Sequence, residues 1–88
     1  MQDHVKKDAV NRLNRAKGHL NHVIKMVEDG KYCIDILQQS IAVQSALKSV
    51  DHIILKGHLE EHVAMAMMGK DKSKSIEEVI DVFDKARR

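Results

Sequence analysis

The proline-free stretch from Tyr32 to Met67 is the feature that most constrains what this chain of 88 residues can fold into. Its apolar side chains recur at intervals of three, four and seven residues, the spacing of one face of a helix. The residues of that seam are Ile36, Val43, Leu47, Val50 and Ile54, and Cys33 continues their phase one turn earlier. This pattern predicts one long helix with a coiled-coil-like face.

A pair of histidines, His58 and His62, lies near the far end of this predicted helix. Residues four apart project from one face, so the two imidazoles can bind one metal ion together. Cys33 precedes His58 by 25 residues, which is about 37 Å along a straight helix. One helix therefore cannot bring the thiol to the imidazoles, whereas two antiparallel copies can.

Such an antiparallel pairing would place a two-fold axis between positions 45 and 48 and would build two identical sites. Each site would combine the thiol of one chain with both imidazoles of its partner. Ser45 and Ala46 lie at the centre and are small enough to permit close helix approach. A hairpin within one chain is the rival, but its one plausible break, Gly57, comes too late to fold the helix back.

A first helix is predicted from Asp3, a suitable N-cap, to roughly Val27. Its expected buried stripe is Val5, Ala9, Leu13, Ala16, Leu20, Ile24 and Val27. Residues 4–28 hold six basic and two acidic side chains, a net charge of +4. This excess fits either a solvated helix face or a surface that contacts phosphates. The candidate DNA contacts are Lys6, Lys7, Arg12 and Arg15.

A turn at residues 29–31 separates the first two helices, and the polar stretch 70–74 predicts a loop after the second. Ser75 and Glu78 then form a capping box for a short third helix. Its apolar face would be Ile76, Val79, Ile80 and Phe83. Because nothing alternates as a strand does, we expect an all-α fold of three helices with a long central one. Residues 1–88 form one domain.

Composition excludes several classes of protein. A chain this small, filled with aliphatic side chains, buries little surface alone, so self-association is expected. The single cysteine excludes an internal disulfide and suits a reducing cytoplasm. No apolar run approaches the ~20 residues of a membrane span, and the N-terminus does not resemble a signal peptide. We expect no enzyme, because Glu60 and Glu61 beside the histidines have the wrong order and spacing for a protease and no nucleophile has an acid–base partner.

The candidate ligands, one thiol and two imidazoles, form a soft donor set. Three such ligands suit trigonal Cu(I), and a further donor would make a four-coordinate zinc, nickel or cobalt site. His19 and His22 are three apart on the first helix. They could form a secondary site, but we interpret them as surface residues. His4 and His52 have no evident partners.

An ordered set of motifs resembles the copper-sensing operon repressor family over nearly the whole chain. The motifs are RLNRAKGH at 12–19, Tyr32-Cys33, LQQ at 37–39 and KGHLEEH at 56–62. The resemblance implies an all-helical dimer of dimers that binds operator DNA without a helix-turn-helix and releases it when a ligand occupies an inter-subunit site. The family's metal ligands map onto Cys33, His58 and His62. Many copper sensors have cysteine at the last position, so His62 is a departure.

Two further positions of the resemblance favour copper. Tyr32 and an acidic residue of the third helix, Glu78 by spacing rather than Glu77, would hydrogen-bond the free nitrogen of metal-bound His58. Nickel- and cobalt-sensing relatives lack this tyrosine and add a histidine near the N-terminus, with which His4 is slightly out of register. The persulfide-sensing branch needs a second cysteine, and the formaldehyde-sensing branch needs a proline, which this chain lacks.

The sequence therefore predicts a cytoplasmic, Cu(I)-responsive transcriptional repressor, a homodimer that assembles into a homotetramer and binds operator DNA. A Ni(II)- or Co(II)-responsive repressor of the same family is the first alternative. A helical metal-storage or chaperone protein is another, although it would have no use for the basic first helix. A structural oligomerisation module is the last, and it would not depend on Cys33.

Overall fold

The computed structural model of the chain describes residues 1–67, 77–79, 81–82 and 85. Helix α1 is Asp3–Glu28 and helix α2 is Cys33–Met67, with lengths of 26 and 35 residues. Residues 77–79, 81–82 and 85 are also helical and belong to the predicted third helix, α3, and no strand occurs among the described residues. The all-α fold with a long central helix is confirmed. The predicted loop and capping serine lie outside the described residues, as do three apolar residues of α3: Ile76, Ile80 and Phe83.

Helix α1 starts differently from the prediction. Gln2 occupies the N-cap position in an extended conformation, without a side-chain cap hydrogen bond, and Asp3 is the first helical residue. The assignment of Asp3 as the cap was therefore wrong, although a carboxylate in the first turn still interacts favourably with the helix dipole. The α-amino group of Met1 lies 3.2 Å from a carboxylate oxygen of Glu61, which ties the start of α1 to the far part of α2.

Helix α1 ends in a Schellman motif that reverses the chain. The backbone N–H of Lys31 donates to the carbonyl of Met26, and that of Gly30 donates to Val27, at 3.0 and 3.1 Å. Gly30 has a φ of +66°, the left-handed conformation that glycine adopts without a Cβ penalty. The chain then enters α2 within three residues, and the two helices run antiparallel.

Small and β-branched side chains form the contact between α1 and α2. The buried residues are Val5, Ala9, Ala16 and Val23 on α1, with Val43, Val50 and Gly57 on α2. A Cβ added to Gly57 would lie 3.0 and 3.1 Å from the two methyl carbons of Val5. Gly57 is therefore a point of close helix approach rather than a break, and α2 continues through it. The rival hairpin within the second helix is excluded.

The chain is one helix thick. Its extents are 57 × 28 × 13 Å, and a single helix with its side chains is about 10–12 Å across. A single layer buries only the stripe between neighbouring helices, so four residues of the predicted α1 core are 42–57% exposed. These are Leu13, Leu20, Ile24 and Val27, and Val23 is buried in their place. On α2, Ile34, Leu37, Ile41 and Leu47 are also exposed.

The exposed apolar side chains do not make either helix a candidate membrane span. Within the described part of the chain, no helix is both long enough and apolar enough to cross a bilayer.

Candidate metal centre

Two histidines of α2 and one glutamate of α3 form a cluster. The Nε2 atoms of His58 and His62 lie 3.3 and 3.9 Å from Oε2 of Glu78. The two imidazole rings are 4.1 Å apart between centroids. One donor atom from each of the three residues lies within 4.8 Å of the donor atoms of the other two, a spacing that could hold a metal ion. The structure thus brings together three of the residues that the sequence singled out.

The contact with Glu78 has a consequence for the tautomer of His58. A carboxylate accepts hydrogen bonds, so the 3.3 Å approach of Glu78 favours a proton on Nε2 of the imidazole. The other ring nitrogen, Nδ1, then carries the lone pair that a metal ion needs. This arrangement matches the fit expected of a liganding histidine, whose second nitrogen is held by a carboxylate.

Cys33 lies at the opposite end of α2 from this cluster. It is the first residue of the helix, and its thiol is free and exposed. Since α2 is unbroken, the 25 positions between Cys33 and His58 correspond to about 37 Å. At 3.6 residues per turn, Cys33 points to the same side of the helix as both histidines, within about 20°. The separation therefore lies along the axis and not around it.

Tyr32 immediately precedes Cys33 and, like it, lies at the end of α2 that is distant from the histidines. Its carbonyl accepts a 3.1 Å hydrogen bond from the backbone N–H of Ile36, so it caps the start of α2. Its side chain is 69% exposed. Within one chain, Tyr32 cannot be the residue that holds His58, and the predicted pairing would have to come from another copy.

The residues expected at the centre of a paired α2 need a correction. Ala46 is half-buried and lines a groove with Ala16 and His19 of α1, so it faces α1 and not the side that carries the histidines. Helical phase places Gln44 and Leu47 on the side of Cys33 instead. For Ala46 the prediction was wrong, because it used position along the helix without rotation about it. Ser45 is exposed, and its place at the centre of the pairing stays a prediction.

The four candidate DNA-binding residues are all exposed, but the structure groups only two of them. Arg12 and Arg15 line a groove of about 190 Å³ between α1 and α2, together with Ser49. Nε of Arg12 donates a 3.1 Å hydrogen bond to Asp8, one turn earlier. The helical period turns Lys6 and Lys7 away from this groove. The remaining members of its lining are Ala16, His19 and Ala46.

One polar contact between the helices was missed by sequence reasoning. Nε2 of His19 lies 2.7 Å from the side-chain oxygen of Gln39, and both residues are half-buried. The interpretation of His19 as a surface residue was therefore wrong, whereas His22 and His4 are exposed. The spacing of three and four that links Ala16, His19 and Val23 could have revealed it.

A larger cavity of about 660 Å³ adjoins the histidine cluster between α2 and α3. His58 and Glu78 line it on one side, and aliphatic residues supply much of the rest of its wall. Those other residues are Asp51, His52, Ile54, Leu55, Val79, Val82 and Lys85. Among the described residues, the cluster thus adjoins a largely apolar space.

Comparison with known proteins identifies the class to which this all-helical chain belongs. The profile of the metal-sensitive transcriptional repressor family matches residues 5–85, and the chain belongs to that family. This confirms the resemblance found in the sequence motifs.

Two curated relatives are copper-sensing transcriptional repressors named CsoR. The one from Mycobacterium ulcerans is 40% identical over 76 residues, which is 86% of this chain and 65% of the relative. The one from Bacillus subtilis is 41% identical over 80 residues, 91% of this chain and 79% of the relative. The chain thus spans about two thirds of the length of the mycobacterial relative.

Two solved structures are similar over most of their length. The copper-sensing repressor CsoR with Cu(I) from Geobacillus thermodenitrificans has a TM-score of 0.89 and 35% identity, covering 100% of this chain and 92% of that one. The nickel-responsive transcriptional regulator InrS has a TM-score of 0.80 and 32% identity, covering 90% and 89%. The same fold therefore occurs in regulators that respond to different metals.

Proposed function

We propose that this chain is a Cu(I)-responsive transcriptional repressor of the cytoplasm. Its metal-free form binds operator DNA, and Cu(I) binding releases the DNA so that copper-resistance genes are expressed. The working unit is a homodimer that pairs into a homotetramer. Membership of the repressor family and similarity to the copper-sensing relatives support this function.

The observation that carries the proposal is the position of Cys33 relative to His58 along one unbroken helix. The two residues share a side of α2 but lie about 37 Å apart, so one copy holds a thiol at one end and two imidazoles at the other. An antiparallel second copy would place its two imidazoles beside this thiol and its own thiol beside these imidazoles. Two Cys–His–His sites follow from a single two-fold axis.

Self-association is supported by the apolar surface that one chain leaves uncovered. A layer 13 Å thick cannot enclose a core, and among the described apolar side chains none is less than 2% exposed. Leu37 and Leu47, which lie on the side of α2 that carries the proposed ligands, are 55% and 42% exposed. Burying them against a second copy would contribute hydrophobic stabilisation that the isolated chain lacks.

Each residue of the proposed site has a distinct task. Cys33 of one chain supplies a thiolate, and His58 and His62 of its partner supply imidazole nitrogens, a soft set that suits Cu(I). When bound, Cu(I) joins these ligands across two chains. Glu78 holds the Nε2 side of His58 and connects it to α3, and Tyr32, which would arrive beside Cys33, reaches the same histidine. Site occupancy would thereby be linked to the position of α3.

A Ni(II)- or Co(II)-responsive repressor is the second candidate. The observation in its favour is that Glu78 lies within reach of both imidazoles, at 3.3 and 3.9 Å. Two nitrogens and a carboxylate oxygen form a harder set, and a partner thiolate would complete four-coordination for a divalent ion. A storage protein has no comparable support, because it makes no use of the exposed Arg12 and Arg15.

The shared site can be tested with mixed subunits. Cys33→Ala subunits are combined with His58→Ala/His62→Ala subunits, and the mixed dimer is isolated with two different affinity tags. One end of the mixed dimer keeps all three ligands, so half of the wild-type Cu(I) sites should return, while each mutant homodimer has none. A purified mixed dimer without recovered Cu(I) binding contradicts a shared site.

The function itself is tested by DNA retention. The metal-free protein is used to select duplexes from a randomised pool, and its affinity for the selected duplex is measured with Cu(I), Zn(II), Ni(II) and Co(II) under reducing conditions. Release of the duplex by Cu(I) alone supports a Cu(I)-responsive repressor, and release by Ni(II) or Co(II) supports a repressor that responds to one of those ions. Failure to retain any duplex would leave storage as the better function.

A further inference from the structure

Gly18 stands in the middle of α1, where no contact with the described residues requires a glycine. Glycine lowers helix stability relative to alanine, because it loses more backbone freedom on folding. A Cβ added at Gly18 meets no atom within 4 Å, whereas one added at Gly57 meets Val5 at 3.0 Å. The close contact that explains Gly57 is absent at Gly18. What requires a residue without a side chain at Gly18 must therefore lie outside the described chain.

The surroundings of Gly18 on the helix surface are uniform in chemistry. Its neighbours on that surface are the residues three, four and seven positions away. None of these six is acidic or apolar, and all are exposed. They are Asn11, Asn14, Arg15, Asn21, His22 and Lys25. We call these six residues with Gly18 the Gly18 strip.

The strip differs from the surfaces that suit a second copy of the chain. Helices that pack against each other interlock apolar side chains, and the exposed apolar residues of α1, such as Leu13 and Leu20, lie on another side of the helix. The strip offers amide, guanidinium, imidazole and ammonium donors instead. Lys25 is paired with Asp29 at 3.2 Å, but an ammonium group has two further N–H donors.

We propose that the sugar–phosphate backbone of duplex DNA crosses α1 at Gly18, where the missing side chain lets it approach the helix closely. The inference deepens the proposed function and rests on it. Asn14 and Asn21 flank the crossing point as neutral hydrogen-bond donors. Arg15 flanks it as a cationic donor and His22 as a donor that can be protonated. Arg15 also lines the groove with Arg12, so the strip continues into that groove. Phosphate contacts of this kind set the register of a protein on DNA without reading bases.

The test is a size series at one position. Gly18→Ala, Gly18→Ser and Gly18→Leu are each compared with the wild type for binding to the selected duplex. Affinity should fall as the side chain grows. Gly18→Leu should lose at least about tenfold, the scale of one lost hydrogen bond to a charged group. The unfolding temperature of Gly18→Ala should not fall, and Cu(I) stoichiometry should be unchanged in all three. A matched control is Ala42→Leu, which enlarges an exposed small residue of α2 and should leave affinity unchanged.

The outcomes separate the inference from the function on which it rests. If wild type and Gly18→Leu retain the duplex equally, the repressor stands and the Gly18 crossing is overturned. If Gly18→Leu changes the sedimenting mass, the strip is an interface between copies and the crossing is overturned as well. If the wild type retains no duplex, both proposals fail together. A loss confined to DNA binding, graded with side-chain size, supports the crossing.

Discussion

The two methyl carbons of Val5 lie 3.0 and 3.1 Å from the point that a Cβ of Gly57 would occupy. This contact joins the start of α1 to the residue immediately before His58. It fixes how closely the basic helix approaches the histidine cluster. A change at either residue therefore alters the packing directly beside the candidate metal centre.

We expect Val5 and Gly57 to be energetically coupled. Gly57→Ala alone adds helix propensity but forces the side chain of Val5 to move, which costs about 1–3 kcal/mol when a packed site is overfilled. In a Val5→Ala background the added methyl has room, so the same change should be more favourable by at least about 1 kcal/mol. The measurement is chemical unfolding of the four proteins of the double-mutant cycle. Additive effects, within roughly 0.5 kcal/mol, would contradict the contact.

A second prediction concerns signalling through Glu78. Glu78→Ala, alone or with Tyr32→Phe, should still bind Cu(I), because neither residue is a proposed copper ligand. Allosteric coupling is typically ~1–3 kcal/mol, so losing the link between His58 and α3 should leave the loaded variant on its operator. The measurement is the operator affinity of the Cu(I)-saturated protein.

The adjacent residue supplies a matched control for Glu78. Glu77 is exposed and helical like Glu78, but no contact between it and the histidines is seen within the described part of the chain. Glu77→Ala should respond to Cu(I) as the wild type does. If Glu78→Ala leaves DNA as readily as Glu77→Ala, the signal passes through the long helices instead.

A third prediction concerns the arginine pair of α1. Arg15→Ala should weaken operator binding and reduce the slope of log affinity against log salt by about one unit, the value for one phosphate contact. Cu(I) affinity should not change. The double variant Arg12→Ala/Arg15→Ala should lose about two units of slope by the same count.

The control for the arginine pair is another exposed base in a similar ion pair. Lys85 lies 3.0 Å from Asp81 on α3, as Arg12 lies 3.1 Å from Asp8 on α1. Lys85→Ala should leave the slope unchanged. An unaltered slope in the double arginine variant would move the DNA-binding surface away from this groove.

A fourth prediction compares two glycines of opposite conformation. Gly30 has a φ of +66°, and a side chain in that region costs about 1–2 kcal/mol. Gly30→Ala should therefore destabilise the chain by about that amount. Gly18→Ala, in helical backbone and open space, should stabilise it by about 0.5–1 kcal/mol. Thermal unfolding of both variants at equal concentration gives the comparison, and shifts of the same sign would contradict it.

The sequence predicted the helices better than it predicted their burial. The three-and-four spacing located α2, and the phase of Cys33 with the histidines survived because an unbroken helix preserves it. The same spacing could not decide which apolar stripe of α1 packs within the chain. Leu13 and Val23 belong to adjoining stripes, and periodicity does not distinguish a contact within one copy from a contact between copies.

The approach of Glu78 to His58 shows another limit of sequence reasoning. Its spacing placed a carboxylate on α3, but the path of the chain between α2 and α3 decides whether that helix returns to the histidines. Only the family resemblance pointed to the pair. The contact between His19 and Gln39 was missed for a related reason, since a polar residue in a buried phase carries no hydrophobic signal.

The unbroken length of α2 has a consequence for how the proposed dimer would fill with metal. Each copy of α2 would contribute its thiol to one site and its two imidazoles to the other. Metal binding at the first site would fix the two helices relative to each other and so hold the ligands of the second site in position. The second ion would then bind a site whose ordering cost has already been met. A Cu(I) titration of the dimer should therefore be steeper than that of two independent sites.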